Sequence, residues 1–141
     1  MITDQLIEKI IDMQNPTCVG LETLFDYLPD GMKSGAVTFE DAAERIFEFN
    51  KKLIDTVYTV VPSVKVQIAY YEMYGVAGMK AYEETLKYAA EKGLVVIADA
   101  KRNDIGSTAS CYAKTFLGKT EVNGNAYAPF PADYVTVNGY L

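Results

Sequence analysis

Histidine is missing from all 141 residues. Without an imidazole, the Ser-His-Asp triad, the Cys-His pair and every His-bearing metal site are excluded within this chain. Any proton transfer must use Lys, Asp, Glu, Tyr or Cys. Cysteine occurs only at Cys18 and Cys111, far apart and unpatterned, which fits reduced thiols and not a disulfide scaffold. Cys111 has no His and no adjacent basic residue to activate it, so it reads as an inert thiol. No apolar run approaches the ~20 residues that a membrane helix requires, so no membrane partner is expected. Met1-Ile2-Thr3-Asp4 has neither the basic patch nor the apolar stretch of a secretory signal, which makes the cytoplasm the expected compartment. Positive charge is also in short supply: 13 Lys and Arg against 19 Asp and Glu leave a net charge of −6. Such a field repels phosphodiester backbones and argues against nucleic-acid binding. An anionic small substrate would need a local basic site.

What is present suits one soluble domain, with half of the residues hydrophobic and 23% charged. Leu6, Ile10 and Met13 recur at helical spacing after a capping Thr3, with Ile2 and Ile7 as a staple, and Asn15-Pro16 stops that helix. Residues 17–21 read as a short buried strand, followed by a loop through Pro29-Asp30-Gly31. Thr38 and Asp41 form a capping box for a long helix with the stripe Phe39, Ala43, Ile46, Leu53, Ile54 and Val57, ending before Pro62. Residues 63–68 alternate as a strand with Ser63, Lys65 and Gln67 on one face. A third helix spans residues 76–92, with Met79, Tyr82, Leu86 and Ala89 on one side and Gly93 as its stop. Strands at 94–98 and 134–137, a helix at 107–117 and a hairpin turn at Asn123-Gly124-Asn125 complete the pattern. Alternating strands and helices imply an α/β fold with parallel strands under crossover helices. Four such strands can be counted.

Chemistry concentrates after the third of these strands, in Asp99-Ala100-Lys101-Arg102-Asn103-Asp104. Asp99 and Lys101 are two apart, so an extended strand puts them on one face at its carboxyl end, and Asp104 follows in the loop. One ammonium among two carboxylates is held in its charged form as a positioned proton donor. The bland alternative is a solvated loop in which Asp104 or Ser107 caps the next helix. Lys65 has two readings as well: a second amine pointing into the same interior, or an edge-strand lysine whose head snorkels to water. Tyr70, Tyr71 and Tyr74 read as packing and loop hydroxyls. Gly118-Lys119-Thr120 is no Walker motif, because Ala113 stands where its opening glycine belongs.

The run from Asp99 to Thr108, with 64–72 (VKVQIAYYE), Cys18-Val19-Gly20-Leu21 and 134–141 (YVTVNGYL), resembles the orotidine 5′-phosphate decarboxylase family, and more narrowly its longer bacterial subfamily. The resemblance implies a TIM (β/α)8 barrel of which this chain covers about the first four strands, with residues 1–141 the N-terminal half of a single domain and its C-terminal half absent. It implies decarboxylation of orotidine 5′-monophosphate to uridine 5′-monophosphate in pyrimidine biosynthesis, with no metal and no organic cofactor. Lys101 would protonate C6, Asp99 would lie beside the departing carboxylate, Lys65 would complete the charge row and contact ribose, and Asp104 would reach a neighbouring subunit's substrate. Glu22, Ile105 and Thr108 join Lys65 and Asp104 as expected substrate contacts. The implied partners are a small nucleotide and either a second copy in a homodimer or the missing half-barrel.

Two positions depart from the family pattern. Glu22 stands where the family has a ribose-binding Asp, and Asn138-Gly139-Tyr140 replaces Asn-Pro-Tyr. A whole barrel takes ~250 residues, and the loops after its seventh and eighth strands build the phosphate site, so this chain alone is not expected to grip a nucleotide. Two other readings stay in play: a non-catalytic half-barrel that pairs with another chain, and a magnesium-dependent sugar-phosphate decarboxylase or aldolase of the same superfamily. The second conflicts with Lys65, which stands where those enzymes carry an acidic metal ligand.

Overall fold

The computed structural model describes residues 1–140; Leu141, the last residue of the stretch that resembles the family's fourth strand and its ending, lies outside the described residues. Helices α1 (Ile2–Met13), α2 (Asp30–Lys33), α3 (Phe39–Val57), α4 (Ala69–Glu72), α5 (Gly75–Glu91) and α6 (Gly106–Phe116) alternate with strands β1 (Cys18–Leu21), β2 (Ser63–Gln67), β3 (Val95–Arg102), β4 (Thr120–Val122), β5 (Asn125–Tyr127) and β6 (Tyr134–Val137). Strands β1, β2, β3 and β6 form one parallel sheet in that order, while β4 and β5 form a separate antiparallel hairpin. The hairpin turns at Asn123 (φ 50°) and Gly124 (φ 81°), the pair of positive angles that a two-residue connection needs.

Local chemistry explains most element ends, with corrections to the sequence reading. The Thr38–Asp41 capping box is present as expected. Thr3 caps nothing: α1 starts two residues earlier than a Thr3 cap would place it, at Ile2, the terminal ammonium pairs with Asp4 at 2.7 Å, and the Thr3 hydroxyl accepts a hydrogen bond from Tyr134. The Pro29-Asp30-Gly31 turn is instead the start of α2, with Pro29 as N-cap. Neither Asp104 nor Ser107 caps α6, whose N-cap is Ile105 with no side-chain cap. Strand β2 stops at Gln67 because Ile68 turns into α4, and β3 runs on to Arg102 past the expected end at 98. Phe39 leaves the apolar stripe of α3; it is exposed and packs edge-on against Tyr74 at 5.9 Å.

The two faces of the sheet have different fates. Val64, Val66, Val96, Ala98 and Ala100 are buried in a core shared with Ile46 and Ile54 of α3 and Tyr82, Leu86 and Ala89 of α5. The alternate residues Lys65, Gln67, Asp99 and Lys101 lie on the other face, where their polar ends meet. Between helices and strand ends sits a buried polar junction. Asn50, fully buried in α3, accepts from the Thr23 hydroxyl at 2.7 Å and donates to the Tyr71 hydroxyl at 2.9 Å and the Thr85 hydroxyl at 3.4 Å. It ties the segment after β1 to α4 and α5, the rim on which the charged side chains stand.

The rim also depends on a close backbone approach. A Cβ on Gly78 would stand 1.8 Å from the Tyr71 carbonyl oxygen, so α5 can lie against α4 only without a side chain there. Gly78→Ala is expected to lower stability by roughly 1–3 kcal/mol or more, the usual range for overpacking, read as a fall in the urea midpoint. An unchanged midpoint would show that the two helices can separate at no cost.

Candidate functional site: an alternating charge row on one sheet face

Each charged side chain reaches the site for a local reason. Lys65 is on β2, a central strand flanked by β1 and β3, so it has no open edge from which to snorkel. Glu22 follows the last residue of β1 and accepts from Lys65 Nζ through Oε1 at 2.7 Å. The same ammonium donates to Asp99 Oδ2 at 2.9 Å, and Lys101 Nζ donates to Asp99 Oδ1 at 2.6 Å. The result is an unbroken row of Glu22, Lys65, Asp99 and Lys101 with alternating sign.

Asp99 is the centre of the row. Its side chain is 6% exposed, against 32% for Lys65 and 60% for Lys101. Two further donors complete its shell: Gln67 Nε2 on Oδ2 at 2.9 Å and the Thr136 hydroxyl of β6 on Oδ1 at 2.7 Å. Each carboxylate oxygen therefore accepts two hydrogen bonds. Burial by itself raises the pKa of Asp99, but the bonds from Lys101, Thr136 and Lys65 together with the charge of Lys65 outweigh it and pull the carboxyl down to about 2. For Lys65, burial lowers the pKa, and the bonds to Glu22 and Asp99 reverse that and hold it above its usual value. Both groups are thus fixed in their charged forms around neutral pH.

The remaining candidates lie elsewhere. Asp104 is exposed in the loop after β3, where Oδ1 accepts from the Ile105 amide at 2.7 Å. Among the described residues Lys101 forms an ion pair with Asp99 and none with Asp104, so the ammonium is held by one carboxylate of this chain and not by two. Ile105 and Thr108 are exposed at and near the start of α6. Asp104 instead lines an apolar groove of about 330 Å³ with Tyr112, Phe116, Val135 and Val137. Gln67 and Thr136 were not among the expected site residues. Gln67 was visible as the same-face neighbour of Lys65, whereas nothing in the run Tyr134-Val135-Thr136-Val137 marked its hydroxyl. Among the described residues no three His, Cys, Asp or Glu side chains stand together as a metal site, and no helix is long and apolar enough to cross a membrane.

The lowered pKa of Asp99 sets a pH dependence. Its contribution to stability is complete above the ordinary carboxyl value of 3.8 and is lost as pH falls through about 2. Asp99→Asn replaces one acceptor oxygen by a donor amide that faces donors, at a cost of roughly 1–3 kcal/mol at neutral pH. The gap between wild type and Asp99→Asn in urea unfolding should shrink as the solution is acidified through this window. A gap that persists or widens in acid would contradict the assignment.

Over residues 38–141 the sequence matches the Orotidine 5'-phosphate decarboxylase / HUMPS family. An orotidine 5'-phosphate decarboxylase from Clostridium perfringens strain 13 is 41% identical over 141 residues, covering 100% of this chain and 45% of the relative. The Petrotoga mobilis protein of the same name is 42% identical over 142 aligned positions, covering 100% of this chain and 44% of its own length. This chain therefore spans less than half the length of these curated relatives. A crystal structure described as an orotidine-monophosphate-decarboxylase from Toxoplasma gondii superposes with a TM-score of 0.76 at 31% identity, covering 97% of this chain and 41% of that one. Leishmania donovani OMP decarboxylase gives a TM-score of 0.56 at 26% identity over 78% of this chain and 38% of its own. The chain belongs to the orotidine 5'-phosphate decarboxylase / HUMPS family, and its parallel strands form part of that family's TIM barrel.

Proposed function

We propose that residues 1–141 are the N-terminal half of a single TIM-barrel domain that decarboxylates orotidine 5′-monophosphate to uridine 5′-monophosphate. The observation that carries this reading is the row of Glu22, Lys65, Asp99 and Lys101, which presents one accessible ammonium beside one buried carboxylate. The C6–carboxylate bond of the pyrimidine breaks, carbon dioxide leaves, and the electron pair stays on C6 as a vinylic carbanion. Lys101 Nζ gives its proton to C6, and the neutral amine then regains one from water. A fixed cation where negative charge develops lowers the barrier without reorganisation during the reaction. Asp99 lies beside the substrate carboxylate, and the repulsion between them vanishes as neutral carbon dioxide forms.

Lys65 and Glu22 contact the ribose in this scheme, and Lys65 also keeps Asp99 ionised. Asp104, with Ile105 and Thr108, serves substrate from the rim; exposure of the Asp104 carboxylate suits a reach into the active site of a second subunit. The phosphate grip comes from chain that these 141 residues do not supply. No metal takes part, in keeping with an ammonium at Lys65 that repels a divalent cation.

The test mixes this chain with the C-terminal remainder of the Clostridium perfringens relative and follows conversion of orotidine 5′-monophosphate to uridine 5′-monophosphate by chromatography. Turnover is expected, unaffected by a chelator, and Lys101→Ala should reduce it by at least about 10²-fold, the usual worth of a positioned general acid. Chelator-sensitive turnover would favour the magnesium-dependent reading. A folded but silent mixture would favour a non-catalytic half-barrel.

A further inference from the structure

Lys101 has a backbone that its residue type does not favour. Among the described residues, three other than glycine have positive φ: Gln14 at the end of α1, Asn123 in the hairpin turn, and Lys101 at 49°. The first two sit where the chain reverses, and only Lys101 lies inside a strand. Side chains rarely adopt this left-handed conformation, because Cβ is forced against the following carbonyl. The same segment carries an irregularity in pairing: Ala98 is opposite Val135 and Arg102 is opposite Val137, so Asp99, Ala100 and Lys101 face Thr136 alone. The strand bulges where the proposed proton donor stands, and bulges re-aim side chains.

One peptide unit within the bulge is bound at both ends. The amide of Lys101 donates to Thr136 Oγ1 at 3.1 Å, and the carbonyl on the other side of the same unit, that of Ala100, accepts from Arg102 Nη1 at 2.9 Å. The second nitrogen of that guanidinium, Nη2, donates to Glu72 at the end of α4. Rotation of this plane would carry φ of Lys101 back to the favoured side and let the bulge that aims its side chain at Asp99 Oδ1 relax toward plain strand pairing. It would break both bonds.

We infer that Glu72 and Arg102 are positioning residues for Lys101: through the Ala100 carbonyl, and with Thr136 on the opposite side, they hold the bulge that delivers the ammonium to Asp99. Neither side chain forms a hydrogen bond with Asp99, so beyond the through-space effect of their charges their influence on the charge row passes through the backbone. A planar fork suits the task, since one group must reach a carbonyl and a carboxylate at once. The inference rests on Lys101 being the proton donor, but its geometry can be tested without turnover.

The readout is the carboxyl carbon of Asp99, followed by 13C NMR during acid titration of the 141-residue chain. In Glu72→Ala the lost negative charge alone would lower the Asp99 midpoint, whereas release of Lys101 raises it from about 2 toward 3.8. A rise is expected, and the two effects differ in sign. Arg102→Lys keeps the charge but cannot span both partners, so it should also raise the midpoint, and it serves if Glu72→Ala does not fold. Glu72→Gln keeps an acceptor oxygen for Arg102 and should leave the midpoint at or below that of wild type. An unchanged or lowered midpoint in both Glu72→Ala and Arg102→Lys would overturn the inference. A second arm compares Lys101→Gly with Lys101→Ala, which both delete the ammonium but differ in tolerance of positive φ. Glycine should melt at or above alanine; the reverse order would show that no left-handed backbone is being held. Failure of decarboxylation in the reconstituted barrel would remove the reading of Lys101 while leaving these titrations to stand or fall alone.

Discussion

A single carboxylate with every acceptor position filled governs this molecule. Asp99 is buried and charged, a state that survives only when the loss of water is matched by donors. The donors arrive from three strands: Lys65 and Gln67 from β2, Lys101 from β3 itself, and Thr136 from β6. The strands must hold their register for these bonds to form together. Register at the start of β6 is secured by Asp133, whose main-chain amide donates to the Val96 carbonyl and whose carboxylate accepts from the Val96 amide, both at 2.8 Å. The demands of one ionised group are thereby written into the pairing of a sheet.

Much of this was legible in the sequence because the signals were local. Alternation around Ser63, Lys65 and Gln67 put Lys65 on a face with other polar groups, and the two-residue spacing of Asp99 and Lys101 brought them together even though the backbone between them is not a plain strand. Capping chemistry fixed the start of α3 at Thr38, and Asn123-Gly124 fixed the hairpin. What escaped were features that exist only after distant segments meet. Asn50 has no motif of its own in α3, and its role exists only once Thr23, Tyr71 and Thr85 close around it. Thr136 had no pattern of its own. Thr3 failed as a cap because the terminal ammonium and Asp4 close the first turn before it. The alternative in which Asp104 or Ser107 caps α6 fails, since the N-cap is Ile105 and the chain enters the helix at Gly106 with φ 56°.

The rim carrying the site has two kinds of support. On the helix side, Asn50 is a hub whose hydrogen bonds reach the segment after β1, α4 and α5, and the absence of a side chain at Gly78 lets α4 settle against α5. Further out, Lys92 stands between the rings of Tyr58 and Tyr88 and pairs with Asp55 at 2.5 Å, joining the far ends of α3 and α5. These contacts keep the helices from sliding over the sheet. Sub-ångström placement of reacting groups has that as a precondition.

The order of strands in the parallel sheet repeats their order in the chain, with only the β4–β5 hairpin looping out on the way. Parallel pairing is ordinarily slow, since each crossover must close before its contacts are gained. Here every strand that leaves the ribosome finds its neighbour already synthesised, from β1 through to β6. Vectorial assembly during translation can therefore proceed one crossover at a time, and none of these four strands has to insert between two that are already paired.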